Sequence, residues 1–239
     1  MGRAKEIIVK VIPSKVANAF VKKWHYSGKV CQNSALHFGC FLDDSLHGVM
    51  SYGSSISKKN MLPLVQPSKW NEFLELNRMA FDDFLPKNSE SRCISVSIKL
   101  LKKHAPQIKW IISFADSVQC GDGAIYRASG FHLTMVKKNS DLFMLPSGQV
   151  SHSLNMKPTV MKKINDKYGG KTGGQIRKAM GAEKMDGFQL RYIYLIDKSC
   201  KITVPILPFS KIDEMGAGMY KGKKITQAER HNIKHASVA

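Results

Sequence analysis

The segment WIISF at 110–114 is a short, nearly continuous apolar run. It follows Pro106 and precedes a turn containing Gly121 and Gly123. A run of this kind predicts a strand that is buried on both faces, as occurs in sheets covered by helices on both sides. We therefore expect an α/β chain organised around such a sheet.

Further elements are predicted on both sides of this strand. Strands are expected at 7–12, 36–41, 48–52, 73–81, 131–136 and 188–196, with a hairpin turn at 43–45. Helices are expected from Ser14 to 24, from Ser89 to Pro106 and over 124–129, with Ser14 and Ser89 as their caps. Residues 54–69 are expected to form a polar loop. The order predicts one mixed α+β sheet with helices on its faces.

A basic stretch at 137–187 lies before the last predicted strand. It is predicted to contain a hairpin of 142–145 with 149–154 and a flexible loop at 169–174. We interpret it as an insertion into a single domain over 1–210. The chain beyond 211 is rich in Gly and Lys and is expected to be a flexible basic tail over 211–239.

The charge indicates a polyanionic partner. Lys and Arg number 37 against 18 Asp and Glu, which gives a net charge of +19 and a pI of about 9.8. Such an excess favours salt-dependent binding to nucleic acid, here taken to be DNA. The alternative is a solvated basic surface. The expected nucleic-acid-binding residues are Lys29, Lys162, Lys163, Lys171, Arg177 and Lys178.

The cysteines and apolar segments set the expected environment. Five widely spaced cysteines contain no C-x-x-C pair, so neither a disulfide framework nor a zinc site is expected. No apolar stretch is long enough to span a bilayer, and we expect a cytoplasmic protein without membrane contact. The sequence has no H-x-D/E pair of the kind that binds iron in facial-triad sites, although His25, His37 and Asp116 could converge in the fold. No metal ligands are predicted.

The residues from Ser113 to Phe131 carry the strongest indication of chemistry. The buried strand brings Ser113 and Asp116 to its C-terminal end, where ligands bind in open α/β sheets. The following helix brings Tyr126 back toward that end. A carboxylate and a phenol at one strand end can act as an acid–base pair. The alternative is that Asp116 caps a turn and Tyr126 packs in the core.

Tyr126, followed by Gly130-Phe131, resembles the late helix and strand of GNAT-type N-acyltransferases. The resemblance implies a GNAT-like fold in which the helix tyrosine is a general acid. The family's glycine-rich pyrophosphate loop would fall at 86–92, where this sequence has no glycine. A helix N-terminus can still bind a phosphate. The expected donor- or phosphate-binding residues are Arg78, Lys87, Asn88, Ser89, Ser91 and Arg92.

A wider resemblance covers about 24–210. Its blocks are HYSGK, LHFGCF, GVMSYG, WNEFLELNRMAFDD, LPKNSESR, SFADSVQCGDGAIYRASGF, RYIYLID and TVPILPFS. Together they resemble the phage Mom family of DNA-modification proteins. The resemblance implies conversion of adenine in DNA to N6-carbamoylmethyladenine, which protects phage DNA from restriction in the host cytoplasm. The functional positions that it implies are His25, Tyr26, Arg78, Ser91, Asp116 and Tyr126.

Several of these positions have a purely structural alternative. His25 and Tyr26 could pack beside Trp24, and Arg78 could pair with Glu75. Ser91 is better suited to satisfying a helix N-terminus than to catalysis. Tyr26, Tyr52 and Trp70 are the aromatic residues expected to stack on a flipped base.

The acyl donor is open at this stage. The product side chain has the same atoms as a glycyl amide, so we hypothesise glycyl transfer from glycyl-tRNA followed by rearrangement, with tRNA as a second partner. Acetyl-CoA with a metal ion, iron being one option, is the alternative donor. A non-catalytic DNA-binding or regulatory protein is the alternative from another class. N6 methylation is disfavoured because no G-x-G-x-x-G turn is present.

Overall fold

A computed structural model describes residues 3–157, 159, 162–225 and 229. The strands are β1 (Ile8–Val11), β2 (Ser34–Leu42), β3 (Ser45–Gly53), β4 (Val65–Gln66), β5 (Phe73–Phe81), β6 (Trp110–Asp116), β7 (His132–Lys138), β8 (Leu142–Met144), β9 (Val150–His152), β10 (Glu183–Lys184), β11 (Phe188–Leu195), β12 (Lys201–Ile202), β13 (Met219–Tyr220) and β14 (Lys223–Lys224). The α-helices are α1 (Ser14–Trp24), α2 (Lys58–Met61), α3 (Ser89–His104), α4 (Ala124–Ala128), α5 (Lys162–Tyr168), α6 (Gly173–Ala179) and α7 (Ser210–Glu214).

The central sheet has seven strands in the order β1-β2-β3-β5-β6-β11-β7. Neighbouring strands are antiparallel except for β5 and β6, which are parallel and are connected through α3. This is the mixed α+β sheet predicted from the sequence, with the basic insertion before its last strand along the chain, β11. The fold prediction is confirmed.

The two parallel strands diverge along their length. Their ladder covers only Phe73–Leu76 opposite Trp110–Ser113. Beyond it, β5 continues beside β3 as far as Phe81, while β6 continues beside β11 as far as Asp116. A gap therefore opens between the C-terminal halves of β5 and β6, where ligands bind in open α/β sheets.

Helices cover both faces of the sheet. On β3, Met50 and Tyr52 point into the cluster that contains the apolar side of α3, whereas Val49 points into a cluster with α1. This alternation follows from the two-residue period of a strand. It buries apolar side chains on both sides and so fixes the position of the diverging strands.

The insertion has a small core of its own. β8, β9 and β10 form a three-stranded sheet, and Phe143, Met156 and Ile176 pack together beside it. The prediction of a flexible loop at 169–174 is wrong at its end. The Thr172 hydroxyl group caps α6 by accepting a hydrogen bond from the Gln175 N–H group, and the Gln175 side-chain oxygen accepts one from the Thr172 N–H group, so the helix begins at Gly173.

Three local predictions need correction. Ser14 and Ser89 are the first residues of their helices rather than caps, and Pro13 and Asn88 occupy the capping positions. The Ser89 hydroxyl group donates to the Pro86 carbonyl group instead. The expected loop at 54–69 contains α2 and β4, because β4 pairs with β12 from late in the chain, which local sequence does not reveal.

The expected flexible tail is ordered as far as residue 225. Ile212, Ala217 and Met219 are buried, and β13 and β14 form a hairpin. These apolar side chains anchor a segment whose composition is otherwise Gly- and Lys-rich. The remainder of that prediction, apart from residue 229, falls outside the described residues.

Candidate functional site

A cavity of about 460 Å³ lies in the gap between β5 and β6. Its walls come from the end of α1, the diverging halves of β5 and β6, the turn before α4, α4 itself and the β13–β14 hairpin. Five of the residues singled out from the sequence line it: His25, Tyr26, Arg78, Asp116 and Tyr126. Their roles in catalysis remain predictions.

Tyr26 and Asp116 are in direct contact at the cavity wall. The Tyr26 hydroxyl group donates to Oδ2 of Asp116 over 3.1 Å. Oδ1 of Asp116 accepts from the Val118 N–H group at 2.9 Å, and the Gln119 amide donates to Oδ2 at 3.2 Å. The carboxylate is thus held in one orientation. Desolvation of the phenol and the neighbouring carboxylate raise the pKa of Tyr26 above its ordinary value, so the phenol stays protonated.

His25 is a neutral imidazole with a defined tautomer. Burial, followed by the charge of Arg78, lowers its pKa from 6.5 to about 4. Its Nδ1 accepts from the Ser27 N–H group at 3.2 Å and lies 2.8 Å from the Ser27 hydroxyl group. Because Nδ1 is an acceptor, the ring proton of the neutral form is on Nε2. The imidazole also packs against the Tyr26 ring, with 4.3 Å between ring centroids and 31° between the ring planes.

Arg78 and Asn77 are neighbours on β5 and both line the cavity. The Arg78 guanidinium is held by the carbonyl groups of Lys29 (3.0 Å) and Asn77 (2.8 Å). Asn77 is only 8% exposed, and its Oδ1 accepts from the Ser34 hydroxyl group at 2.7 Å. Its Nδ2 has no hydrogen-bond partner within the described chain, although Asn77 lines the cavity. Such donors are rare in folded proteins. The Nδ2 atom has almost no accessible surface, so a ligand in the cavity reaches it only if the Asn77 side chain turns.

Tyr126 is buried at the floor of the site. Its ring packs between Phe131 and Tyr192, with centroid distances of 5.5 and 5.3 Å. Burial raises the pKa of Tyr126 to about 12, against a smaller lowering effect of the Ser113 hydroxyl group. A phenol with this pKa is a proton donor at neutral pH and a poor base.

Ser113 is not among the cavity-lining residues. It is fully buried, and its hydroxyl group donates to the Leu76 carbonyl group at 2.8 Å. Leu76 and Ser113 are the last pair of the parallel ladder, so this bond joins β5 and β6 where they begin to diverge. The geometry supports a positioning role.

The other expected donor-binding residues are directed elsewhere. Those that do not line the cavity are Lys87, Asn88, Ser89, Ser91 and Arg92. The Ser91 hydroxyl group donates to the Asn88 carbonyl group, and the Arg92 guanidinium donates to the Lys5 carbonyl group at 2.9 Å. Glu90, in the first turn of α3, is the residue from this segment that reaches the cavity.

The expected nucleic-acid-binding residues fall into two groups. Lys29 is exposed beside the cavity, where its carbonyl group binds Arg78. The others lie on the insertion, where Lys162, Lys163, Lys171 and Lys178 are exposed. Arg177 differs, since it is half-buried with its guanidinium 5.1 Å from the Phe143 ring centroid.

The expected stacking residues are only partly available. Tyr52 is fully buried and its hydroxyl group is 2.7 Å from that of Ser97. Trp70 is exposed but does not line the cavity. Tyr26 meets both conditions, as do Trp24 and Tyr220, which sequence reasoning missed.

Two further observations concern metals and membranes. In the ranges that the structure describes, no three His, Cys, Asp or Glu side chains gather as a metal site. His37, considered as a partner of His25 and Asp116, is buried with its Nδ1 2.8 Å from the Ser51 hydroxyl group. None of the described helices is long and apolar enough to cross a membrane.

Comparison with known proteins gives a family match over most of the chain. The model of the Mom protein family matches residues 6–211. The "Methylcarbamoylase mom" of Escherichia phage Mu is 31% identical over 200 residues, which cover 83% of this chain and 79% of that protein.

Solved structures with a similar course of the chain are N-acetyltransferases. An N-acetyltransferase from Staphylococcus aureus Mu50 has a TM-score of 0.45 and 10% identity, and the match covers 80% of this chain and 99% of that one. The ribosomal-protein-S18-alanine N-acetyltransferase from Escherichia coli has a TM-score of 0.44 and 10% identity, with coverage of 85% and 99%.

Proposed function

The chain belongs to the Mom protein family, and we propose that it is a phage DNA-modification enzyme that transfers an acyl group to N6 of adenine, yields N6-carbamoylmethyladenine and protects DNA from restriction. The observation that carries the proposal is the convergence of His25, Tyr26, Arg78, Asp116 and Tyr126 on one cavity. The cavity of about 460 Å³ falls within the ~300–1,000 Å³ of small-molecule sites. The net charge of +19 favours a nucleic-acid substrate.

Adenine N6 is a weak nucleophile because its lone pair is delocalised into the ring. It is also inaccessible inside a stacked duplex, so the base has to leave the stack or come from a single strand. In the cavity, N6 is placed against Asp116, which accepts its proton as the acyl bond forms. The bonds from Val118 and Gln119 hold the carboxylate ready for this transfer.

The remaining groups act on the acyl donor. Tyr126, protonated because its pKa is raised to about 12, gives its proton to the leaving oxygen. The Asn77 amide and the Nε2–H group of His25 donate to the reacting carbonyl oxygen as negative charge develops there. Arg78 supplies a fixed positive charge for a phosphate of the donor.

We propose glycyl-tRNA as the donor. N6 attacks the ester carbonyl carbon, the C–O bond breaks, and the terminal ribose hydroxyl group of tRNA leaves with a proton. The free amine of the N6-glycyl group then attacks C6, and the C6–N6 bond breaks. The former N6 becomes the amide nitrogen of the carbamoylmethyl group, so the rearrangement gains and loses no atoms.

Coenzyme A fits the residues of this chain poorly. The side chains expected to bind its phosphates hold backbone carbonyl groups instead, as Ser89, Ser91 and Arg92 do. Glu90 adds a negative charge in the first turn of α3, where a pyrophosphate would bind. Acetyl-CoA with a metal ion remains the alternative donor, and we derive no step through it.

The test is in vitro modification of a DNA oligonucleotide by the purified full chain with glycyl-tRNA made from ¹⁵N-glycine. We expect deoxyadenosine to gain about 57 Da (C2H3NO) plus the label, on a base reached by flipping. Mild hydrolysis of the product amide should release unlabelled ammonia, because the amide nitrogen is the former N6. If the N6-glycyl amide has not rearranged, hydrolysis should instead return deoxyadenosine and release labelled glycine without ammonia, and that result would exclude the rearrangement.

Two controls separate the alternatives. Modification that persists after ribonuclease treatment would exclude the tRNA donor. A protein that binds DNA but modifies it with neither donor would support the non-catalytic alternative. We expect neither result.

A further inference from the structure

We propose that the β13–β14 hairpin is a DNA-binding element at the cavity mouth, where Tyr220 stacks on the base next to the target adenine and Lys221 binds the adjoining phosphate. This inference rests on the proposed function, since it concerns the same cavity. Met219, Tyr220 and Lys221 all line that cavity. The match of the family model ends at residue 211, before this hairpin begins.

The hairpin is firmly attached to the turn after β6. Asp122 exchanges two hydrogen bonds with Met219, its N–H group donating to the carbonyl group at 3.2 Å and its Oδ2 accepting from the N–H group at 3.0 Å. The Ser117 hydroxyl group donates to the Ala217 carbonyl group, and the Gly222 N–H group to that of Cys120 at 2.8 Å. A preorganised wall of this kind loses little entropy when a ligand binds.

Three exposed aromatic side chains line the same cavity. Trp24 is 40% exposed, Tyr26 is 49% exposed and Tyr220 is 44% exposed. Trp24 and Tyr26 are at the end of α1, whereas Tyr220 comes from the hairpin. Exposed rings that line a cavity are suited to stacking on bases, each of which has an apolar face.

Lysines accompany these rings. Lys23 places its ammonium group 4.8 Å from the Trp24 ring centroid. Lys221 and Gly222 both have positive φ, 44° and 78°, as a two-residue hairpin turn requires. Lys223 and Lys224 follow on the exposed strand. A surface of aromatic rings and lysines complements a strand of bases and phosphates, and because the cavity is where adenine is modified, we assign this surface to DNA.

The test measures binding of the full chain to a labelled single-stranded DNA with one central adenine, in the absence of donor. Tyr220→Ala removes the ring, and Tyr220→Phe keeps it. Lys221→Asn removes the charge but suits positive φ. Trp70→Ala is the matched aromatic control, because Trp70 is 50% exposed and outside the cavity. Lys198→Gln, also exposed, controls for loss of one charge.

We expect Tyr220→Ala to weaken binding by roughly 5- to 100-fold, the range of base–aromatic stacking, and Tyr220→Phe to change it less than about twofold. Lys221→Asn should lower the magnitude of the salt slope by about 0.7, the single-strand value for one phosphate. Two further strands carry an abasic site in place of the nucleotide on the 5′ side or on the 3′ side of the adenine. On the strand that lacks the base stacked on Tyr220, Tyr220→Ala should no longer weaken binding.

Three results would overturn the inference. The first is a loss of binding in Tyr220→Ala no larger than in Trp70→Ala. The second is an effect of Tyr220→Ala that persists on both abasic strands. The third is a loss of affinity for uncharged tRNA that is larger than the loss for DNA, which would assign the surface to the donor instead of DNA.

The outcome is separable from that of the proposed function. Binding is measured without any reaction, and modification by the wild-type chain is measured separately. If the wild type modifies DNA but Tyr220→Ala binds normally, only this inference fails. If Tyr220→Ala loses stacking in a chain that modifies nothing, only the proposed function fails.

Discussion

Tyr26 and Asp116 are 90 positions apart in the chain and are joined by a 3.1 Å hydrogen bond across the mouth of the cavity. The bond links the end of α1 to the end of β6, so the helix and the diverging strand are held together at the site. Neither residue alone identifies a catalytic centre, whereas the pair places a proton acceptor beside an exposed aromatic ring.

The first prediction concerns Asp116. Asp116→Asn keeps an oxygen for the Val118 N–H group but loses a proton acceptor. We expect modification to fall by about 10²- to 10⁴-fold, the usual contribution of general acid–base catalysis, with DNA affinity nearly unchanged. Nucleoside mass spectrometry and an oligonucleotide binding assay measure the two. Full activity in this variant would remove Asp116 from the mechanism.

Tyr126→Phe tests the proton donor. Because the phenol has a pKa raised to about 12, Tyr126 should cause no loss of activity as pH rises through the neutral and mildly alkaline range. Its removal should lower the rate of acyl transfer by about 10²-fold or more. Single-turnover rates with wild type and variant give this comparison. The ring contacts with Phe131 and Tyr192 are kept, so the thermal midpoint should change little, and a collapse of stability would leave packing as the explanation.

His25 predicts a pH dependence of stability. Its pKa is about 4 in the fold against 6.5 unperturbed, so between these values the unfolded chain binds a proton that the folded chain does not. The free energy of unfolding contributed by His25 is therefore complete above about pH 6.5 and falls as pH decreases toward 4. His25→Asn retains an acceptor for the Ser27 N–H group and should reduce this fall.

Urea unfolding of the wild type and of His25→Asn at about pH 7 and about pH 5 gives the change in the free energy of unfolding with pH for each protein. The pKa of His37 is also lowered by burial, but His37 is present in both proteins and cancels. An equal pH dependence in the two would contradict the assignment of His25 as a buried neutral imidazole.

Asn77 separates binding from stability. Its Nδ2 has no partner among the described residues. Asn77→Leu removes this donor without placing a charge at a position that is 8% exposed, so beyond the lost bond to Ser34 it should cost activity more than folding. We expect about a 10- to 100-fold lower rate of modification, comparable to the loss of one oxyanion donor. Ser34→Ala is the control: it removes the bond to Oδ1 and should lower stability by about 1 kcal/mol while leaving the donor in place.

Local sequence patterns predicted the elements whose signal is contained within a few residues. β5 covers the predicted 73–81, and the apolar spacing of Ile94, Ile98 and Leu101 identified α3. Strand alternation and helical periodicity are properties of neighbouring residues. The end of β6 also brought Asp116 to the cavity, as its position after a buried strand predicted.

The features that sequence reasoning missed depend on contacts between distant segments. Tyr220 reaches the cavity because Met219 binds Asp122, and nothing in the Gly- and Lys-rich sequence there predicts that contact. Asn77 stands out because its Nδ2 lacks a partner in the described part of the chain, a property that it shares with Nε of Arg92. A signal for burial of the segment, although not for its partner, did exist, since Ile212, Ala217 and Met219 are apolar positions in an otherwise polar segment.

The last prediction concerns the basic insertion, where the structure divides residues that the sequence grouped together. Lys162, Lys163 and Lys178 are exposed, so replacing all three with Gln should lower the magnitude of the salt slope for duplex DNA by up to about 2.7, or about 0.9 for each phosphate contact. Arg177 packs on the Phe143 ring, so Arg177→Gln should instead lower the thermal midpoint, since a half-buried arginine side chain contributes packing as well as charge. Binding isotherms over a range of salt concentrations and thermal unfolding of both variants distinguish the two effects. A triple variant with an unchanged slope would place the duplex away from the insertion, near Lys29 and the β13–β14 hairpin.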